Sequence, residues 1–347
     1  MRIAVLMGGT SAEREISIRT GAGVSRALLS LGHDVVLLDT GTGKLLEEKE
    51  LHAALKQPGG SAIAPTTLPQ AAANIGLEPF VRGMPRDMEL VFVALHGGDG
   101  ENGTLQALLD LAQVPYTGSG VLASALAMDK AMSKRIFVQE GIPTPEWVER
   151  WAPEDPSQPW IPELDDEEIE RLGGFPVIVK PNDQGSTVGI TVVSERAKLK
   201  SALLTARRYG RLALVERYIP GREVTVSVLD NLALPVVEII PEGGFYDYDH
   251  KYTAGASRYE VPAKIPHETS ERLLSLGLRA CRALRCRGVA RVDFRLHEDG
   301  TPYCLEVNTV PGMTEMSLVP KAAAAAGMSY EDLVRTIVES TPIRAPR

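Results

Sequence analysis

The sequence predicts an α/β protein of three modules that turns to α+β in its C-terminal half. Over residues 1–118, short apolar runs alternate with helical patterns and exit through glycines, as parallel strands wound with helices do. From about residue 119 the punctuation changes to proline and glycine between strand-like segments, including a strand–turn–strand over residues 176–193. A length of 347 residues, 44% hydrophobic and 24% charged, supports two or three packed domains of soluble composition. The modules expected are 1–118, 119–214 and 215–347.

Taken in order, Arg2–Met7 is a buried strand that leaves through Gly8-Gly9-Thr10-Ser11 into a helix, which runs to about Leu31 and stops at Gly32. Asp34–Asp39 is the next strand. Leu90–Leu95 is another, leading through His96-Gly97-Gly98-Asp99-Gly100 into a helix from about Thr104. Parallel strands of this kind gather ligands at their carboxyl ends. Residues 57–88, rich in Pro, Gly and Ala, read as a variable surface segment. One helix containing Met128-Asp129-Lys130 is expected to reach Glu140, where Gly141-Ile142-Pro143 stops it. Trp151–Glu168 reads as an exposed connection. Beyond Leu212–Glu216 the chain reads as mostly strand, with an aromatic loop over Phe245–Tyr259 and a final helix over about 329–340.

A formal net charge of −8 disfavours nucleic acid or an anionic membrane as partner, while allowing a locally basic cleft. Cys281, Cys286 and Cys304 have neither metal-ligand nor CxxC spacing and read as free thiols in a reducing compartment. Cys304 alternates with apolar neighbours, as a packed side chain does. The apolar run after Met1 is shorter than that of a signal peptide, and no stretch is long enough to span a bilayer. A cytoplasmic protein is expected.

The most informative stretch is Val289–Asn308. Both flanks alternate around Asp299-Gly300, a strong two-residue hairpin turn. With those two residues as the turn, Asp293 falls opposite Glu306 and Arg291 opposite Asn308. All four then share one face, while Val292, Phe294, Leu305 and Val307 point into a core. Opposed carboxylates destabilise a sheet unless something lies between them. A hard divalent cation does so, and oxygen donors from Asp293, Glu306 and Asn308 suit magnesium or manganese. The plainer alternative is an exposed face on which Arg291 neutralises both acids.

Lys180 ends an apolar strand and precedes Asn182-Asp183-Gln184-Gly185-Ser186-Thr187-Val188-Gly189. Glycines let backbone amides approach phosphate oxygens, and the lysine supplies a point charge. The loop returns into a strand rather than opening a helix, which excludes a P-loop or a Rossmann fingerprint and favours a hairpin lid. Val215-Glu216-Arg217-Tyr218-Ile219 stands at a module junction, where a hinge backbone would bond a nucleobase and Glu223 a ribose. An edge strand with exposed charges accounts for that segment equally well.

Together these pieces resemble the ATP-grasp family and, within it, the D-alanine–D-alanine ligase family. The matching stretches are Gly8–Glu15, Ala94–Gly97, Pro115–Gly120, Met128–Lys130, Lys180–Gly189, Phe245–Tyr252, Arg291–Asp293 and Leu305–Thr314, in order along nearly the whole chain. The resemblance implies an ATP-grasp architecture, with the nucleotide held between the central and C-terminal modules. It implies ligation of two D-alanine molecules through an acylphosphate, for peptidoglycan precursors, with ATP as cosubstrate and two Mg2+ (or Mn2+) per site. Asp293 and Glu306 would hold one ion, Glu306 and Asn308 the other. Lys130, Lys180 and Lys251 would contact nucleotide phosphates, beneath the lid residues Gly185 and Ser186; Glu216, Ile219 and Glu223 would take the nucleoside.

By the same resemblance Arg291 and the amide of Gly312 would stabilise a tetrahedral oxyanion, and Ser317 would hold the second substrate's carboxylate. Glu13, supported by His96, would bind the first substrate's ammonium, and Ser186 and Tyr252 would link with Glu13 over the closed site. Locally, Thr10-Ser11-Ala12-Glu13 has capping-box spacing, a competing role for Glu13. A tyrosine at 252 accompanies dipeptide rather than depsipeptide formation in that family. The chain departs from the family pattern at Gln184 in the lid, at Val310, and at Glu315-Met316 before Ser317. The family analogy adds a homodimer. Competing functions are an ATP-grasp ligase with another D-amino or hydroxy acid as second substrate, and a noncatalytic nucleotide-binding protein.

Overall fold

The structure is a computed structural model that describes residues 1–11, 13–45, 87–155, 158, 160, 162–185, 188–241 and 257–342. The N-terminal sheet has the order β3-β2-β1-β4, from β1 (Arg2–Met7), β2 (Asp34–Asp39), β3 (Lys44–Leu45) and β4 (Leu90–Val93), with helices α1 (Arg14–Ser30) and α2 (Thr104–Leu111). β1 pairs in parallel with both β2 and β4, as the sequence predicts. The continuous apolar run of β1 follows from burial on both faces. Ile3 and Val5 pack with Val24 and Leu28 of α1, and Ala4 and Leu6 pack with Leu105 and Leu109 of α2.

Helices α3 (Val121–Met128) and α4 (Lys130–Gln139) lead to a second, antiparallel sheet of order β5-β8-β6-β7. Its strands are β5 (Trp147–Trp151), β6 (Val177–Pro181), β7 (Thr191–Val193) and β8 (Leu212–Arg217), with α5 (Asp166–Arg171) and α6 (Arg196–Arg207) between them. Alternation decides what each face carries. Val177, Val179, Ala213 and Val215 pack with Leu199, Ala202 and Leu203 of α6. Ile178, Lys180, Leu214 and Glu216 alternate with them; Leu214 packs with Ala131 of α4, and the other three line a cleft.

The third sheet runs β12-β11-β9-β13-β14, with β10 (Leu232–Ala233) paired to β9 (Arg222–Leu229). Its remaining strands are β11 (Val237–Pro241), β12 (Ser257–Glu260), β13 (Val289–Leu296) and β14 (Pro302–Asn308). Helix α7 (His267–Ala283) covers the apolar face, where Leu273, Leu276, Ala280 and Cys281 meet Val226, Val292, Phe294 and Cys304. The last helices, α8 (Leu318–Ala325) and α9 (Tyr330–Glu339), turn back onto the first module: Val319, Leu333, Val334 and Ile337 share a core with Ile3 and Val5.

Three expectations are corrected. The single helix through Met128-Asp129-Lys130 is two helices, because Asp129 adopts extended backbone (φ −82, ψ 97) and caps α4 by accepting from the Met132 amide at 2.9 Å. The stretch after Leu212 is not mostly strand. It contains the 17-residue α7, whose Gly277 marks a close approach: a Cβ there would stand 2.9 Å from Val226 Cγ1. Trp151–Glu168 is not wholly a connection, since Trp151 closes β5 and α5 starts at Asp166 behind a capping box from Asp165 and Glu168. β8 also runs through the 214/215 boundary expected from sequence, pairing along its length with β5 and β6. The segment expected at 57–88 lies outside the described residues except for its last two positions.

Candidate active site

The β13–β14 hairpin supplies the centre. Arg291 pairs with Asn308 and Asp293 with Glu306, as the alternation predicts, but the turn is not the two-residue one. The His297 amide bonds the Thr301 carbonyl at 2.9 Å, which leaves Glu298, Asp299 and Gly300 as the loop, with Gly300 at φ +83. Near that turn Phe294 therefore faces Cys304, and a bulge at Leu305 restores the expected register one step later. The bulge corrects one side chain: Leu305 leaves the core and lines the cleft beside Glu306, while Cys304 is fully buried.

Both acids are paired with cations. Arg291 grips Asp293 bidentately, Nε to Oδ1 and Nη2 to Oδ2 at 2.8 Å each. Asp293 accepts further bonds from Thr225 Oγ1 at 2.8 Å and Asn308 Nδ2 at 3.0 Å. Glu306 pairs with Lys130, Nζ to Oε2 at 3.1 Å. Because Asn308 turns its amide nitrogen to Asp293, its carbonyl oxygen and the two carboxylates form an all-oxygen donor set on one face, which fits a hard divalent cation.

Beside the hairpin a cleft of about 850 Å³, its open mouth included, runs between the second and third sheets. Lys130, Lys180, Gln184, Gly185, Glu216, Ile219, Glu223, Arg295, Leu305 and Glu306 line it. At the lid's departure, the Gln184 side-chain amide donates to the Tyr209 carbonyl at 3.1 Å, while the backbone carbonyl there accepts from Lys130 Nζ at 2.6 Å. Lys180 Nζ lies 2.8 Å from Glu216 Oε2. The hinge after Glu216 is held by Arg295, whose Nε and Nη2 bond the carbonyls of Ile219 and Gly221 at 3.1 and 2.8 Å.

Glu13 occupies the N-cap position of α1 without a side-chain capping bond, so the capping-box role is excluded. Ser11 Oγ accepts from the Glu13 amide at 3.1 Å and donates to the His96 carbonyl at 2.6 Å. The Glu13 carboxylate lies between two glycines: a Cβ on Gly97 would stand 3.0 Å from Oε2 and one on Gly185 3.6 Å. The first module and the lid therefore meet at Glu13.

His96 is buried with both ring nitrogens engaged inside the protein. Nδ1 lies 2.9 Å from the Val310 carbonyl and Nε2 2.8 Å from Thr20 Oγ1. The carbonyl can only accept, so Nδ1 carries the proton and Thr20 donates to Nε2. Burial pushes His96 below its ordinary range, against the pull of Glu13, which keeps the ring neutral. Its role is to pin the Val310–Met313 loop onto the first module. Val310 packs in that module's core, which accounts for an apolar residue at this position. Farther along the loop, Tyr330 Oη donates to the Met313 carbonyl at 2.6 Å, and Ser317 Oγ accepts from the Thr314 amide at 3.1 Å. A Cβ on Gly312 would stand 3.0 Å from Ser317 Oγ, so the Gly312 backbone and the start of α8 border one space.

Two charged residues of the site escaped the sequence reading. Burial raises the Glu101 carboxyl well above its ordinary range, Glu13 and Glu306 adding to the rise and Arg291 opposing it. Only its place in the glycine-rich exit after β4 signals it. Lys134 is wholly buried with Nζ 3.1 Å from Glu216 Oε1; its signal is the spacing of one helical turn from Lys130. Ser186, Lys251 and Tyr252 lie outside the described residues, as does most of the aromatic loop expected over Phe245–Tyr259.

An N-terminal α/β module and a lysine-lined cleft between two further sheets define the ATP-grasp class. Family models agree on a narrower group: the D-Ala–D-Ala ligase N-terminus matches residues 2–119 and the D-Ala–D-Ala ligase C-terminus residues 136–339. The D-alanine–D-alanine ligase of Syntrophotalea carbinolica is 42% identical over 343 residues, 99% of this chain and 97% of that protein. That of Gloeobacter violaceus is 42% identical over 342 residues, covering 98% and 99%. The crystal structure of the Bacillus anthracis D-alanine–D-alanine ligase complexed with ATP matches with a TM-score of 0.75 at 34% identity, covering 98% of this chain and 97% of that one. The chain belongs to the D-alanine–D-alanine ligase family.

Proposed function

We infer that the protein is an ATP-dependent ligase that joins two molecules of D-alanine, releasing ADP and phosphate. One observation carries the reading: Asp293 and Glu306, paired across the hairpin beside Arg291 and Asn308, line the cleft, with Glu13 of the first module against Gly185 of the lid. That arrangement suits an acyl group formed at a nucleotide's terminal phosphate and attacked from the far side.

In the first step a carboxylate oxygen of one D-alanine bonds to the γ-phosphorus of ATP, the bond to ADP breaks, and an acylphosphate results. In the second the neutral amine of the other D-alanine attacks the acyl carbon, and phosphate leaves from the tetrahedral intermediate with the proton that the nitrogen gives up. Phosphoryl transfer asks chiefly for positioning and charge neutralisation. Lys130 and Lys180 are suited to the phosphates, with Lys251 and Ser186 assigned there by resemblance. Glu216, Ile219 and Glu223 are suited to the nucleoside. Asp293, Glu306 and Asn308 would hold two magnesium or manganese ions, which when bound neutralise phosphate oxygens. Arg291, already aligned by Asp293, and the Gly312 amide would meet the oxyanion.

Ser317, at the start of α8, would take the second carboxylate together with the helix N-terminus. Glu13 would hold the first ammonium and, with Ser186 and Tyr252, close the site. His96 acts on this subsite by position, since neither of its nitrogens is open to a ligand. Residues 1–118 would thus serve the first substrate, the middle module the nucleotide lid, and the C-terminal module the metal and second substrate. A homodimer, a cytoplasmic location and a place in peptidoglycan precursor synthesis complete the proposal. Among the described residues no helix is long and apolar enough to cross a membrane.

The test is incubation of purified protein with ATP, magnesium and a panel of D- and L-amino acids and D-hydroxy acids, reading ADP release and product mass. D-alanyl-D-alanine is the expected product. Turnover confined to L-amino acids would overturn the substrate assignment, and no ADP release with any acid would overturn the ligase reading.

A further inference from the structure

Helix α4 presents two lysines one turn apart to two of the acids that line the cleft: Lys130 to Glu306 and Lys134 to Glu216. The second pair has an extra member, because Glu216 is shared. Lys134 Nζ lies 3.1 Å from Oε1 and Lys180 Nζ 2.8 Å from Oε2, so two cations face one anion. The lysines are not equivalent. Lys180 stands on the cleft wall. Lys134 has no exposed side-chain surface, donates to Thr144 Oγ1 at 2.9 Å and sits 5.2 Å over the Trp147 ring. Thr144 in turn donates to the Cys304 carbonyl at 2.8 Å, which ties this ammonium to β14 immediately before the Leu305 bulge.

We propose that Lys134 is a positioning residue that neutralises Glu216 from within the protein, so that the Lys180 ammonium is left as net positive charge for the phosphates of the nucleotide. The inference rests on the reading of this cleft as the ATP site. A buried carboxylate cannot be left without a counter-ion. With Lys134 gone, Lys180 is, among the described residues, the one cation left on Glu216, the pair is neutral, and the cleft wall loses one charge. With Glu216 also made neutral, Lys180 is released again. Burial and Lys180 lower the Lys134 ammonium while Glu216 supports it, as expected for a cation kept inside by one partner.

The experiment compares wild type, Lys134→Met, Glu216→Gln and the double variant, by kinetics and by calorimetric binding of a nonhydrolysable ATP analogue. Lys134→Met should raise the KM for ATP about tenfold or more, the worth of a charge-assisted contact, with the KM for D-alanine held within about twofold. In the Glu216→Gln background the same substitution should change neither constant by more than about twofold. Equal loss in both backgrounds, or parallel rises in both KM values, would show a merely structural lysine and overturn the proposal. Should Lys134→Met fail to fold, the comparison of Glu216→Gln with the double variant decides alone. If wild type binds the analogue and Lys134→Met binds it equally well, only the role of Lys134 falls. Failure of wild type to bind would overturn the reading of the cleft itself.

Discussion

Asp293 lies opposite Glu306 across β13 and β14 although the loop between the strands holds three residues rather than two. The longer loop and the Leu305 bulge displace the register in opposite senses, and the pairing at the functional end is unchanged. The bulge also places consecutive residues, Leu305 and Glu306, on the cleft wall, one apolar and one charged.

Glu306→Gln keeps shape and hydrogen bonding but removes the charge that pairs with Lys130 and that a cation requires. Because Glu306 is outside the apolar core, the melting temperature should stay within about 3 °C of wild type. Turnover at saturating ATP should fall by roughly 100-fold or more, and excess magnesium should not restore it. Full activity at ordinary magnesium would remove the hairpin from the chemistry.

Arg291→Met leaves Asp293 bonded to Thr225 and Asn308, so the acid is not orphaned. An oxyanion donor acts on the transition state, and its loss should lower kcat by about 100- to 1000-fold with little change in the KM for ATP. Steady-state kinetics over both substrates would detect the alternative, a rise in KM with kcat preserved.

His96→Leu strands the Val310 carbonyl and the Thr20 hydroxyl, at a cost of about 1–3 kcal/mol in denaturant unfolding. Wild type should also carry a pH signature. His96 titrates below its ordinary range when folded, so as pH falls under about 6.5 the unfolded chain takes up a proton that the native ring refuses. That contribution is complete above this pH and is lost progressively below it. His96→Leu should show a shallower decline over the same interval.

Lys134 gives a second signature, at alkaline pH. Burial brings its ammonium down to about 8. The groups that face it are Glu216 on β8, Lys180 on β6 and Cys304 on β14, with the neutral Thr144 and Trp147. Cys304 is pushed up by burial and stays a thiol in this range. The KM for ATP should therefore climb as pH passes about 8 in wild type and stay flat there in Lys134→Met.

Much of the fold was legible because local patterns and packing agree. β1 reads as a buried strand since both its faces are covered, and β2 and α9 fall where their periodicity ends. α7 was not read, and its apolar stripe makes sense only once Val226 and its neighbours lie beneath it. Similarly, the break at Asp129 depends on a cap whose geometry no periodicity records.

What the sequence determined by itself was the set of chemical groups and their pairing along each strand, since alternation puts Arg291 on one side with Asp293 and Glu306 on one side with Asn308. What only the tertiary structure decided was which charge meets which. Glu306 goes to Lys130 and Glu216 to both Lys134 and Lys180, from residues far apart in the chain. Burial then makes those pairings obligatory, because a charge withdrawn from water must find its counterpart inside the fold.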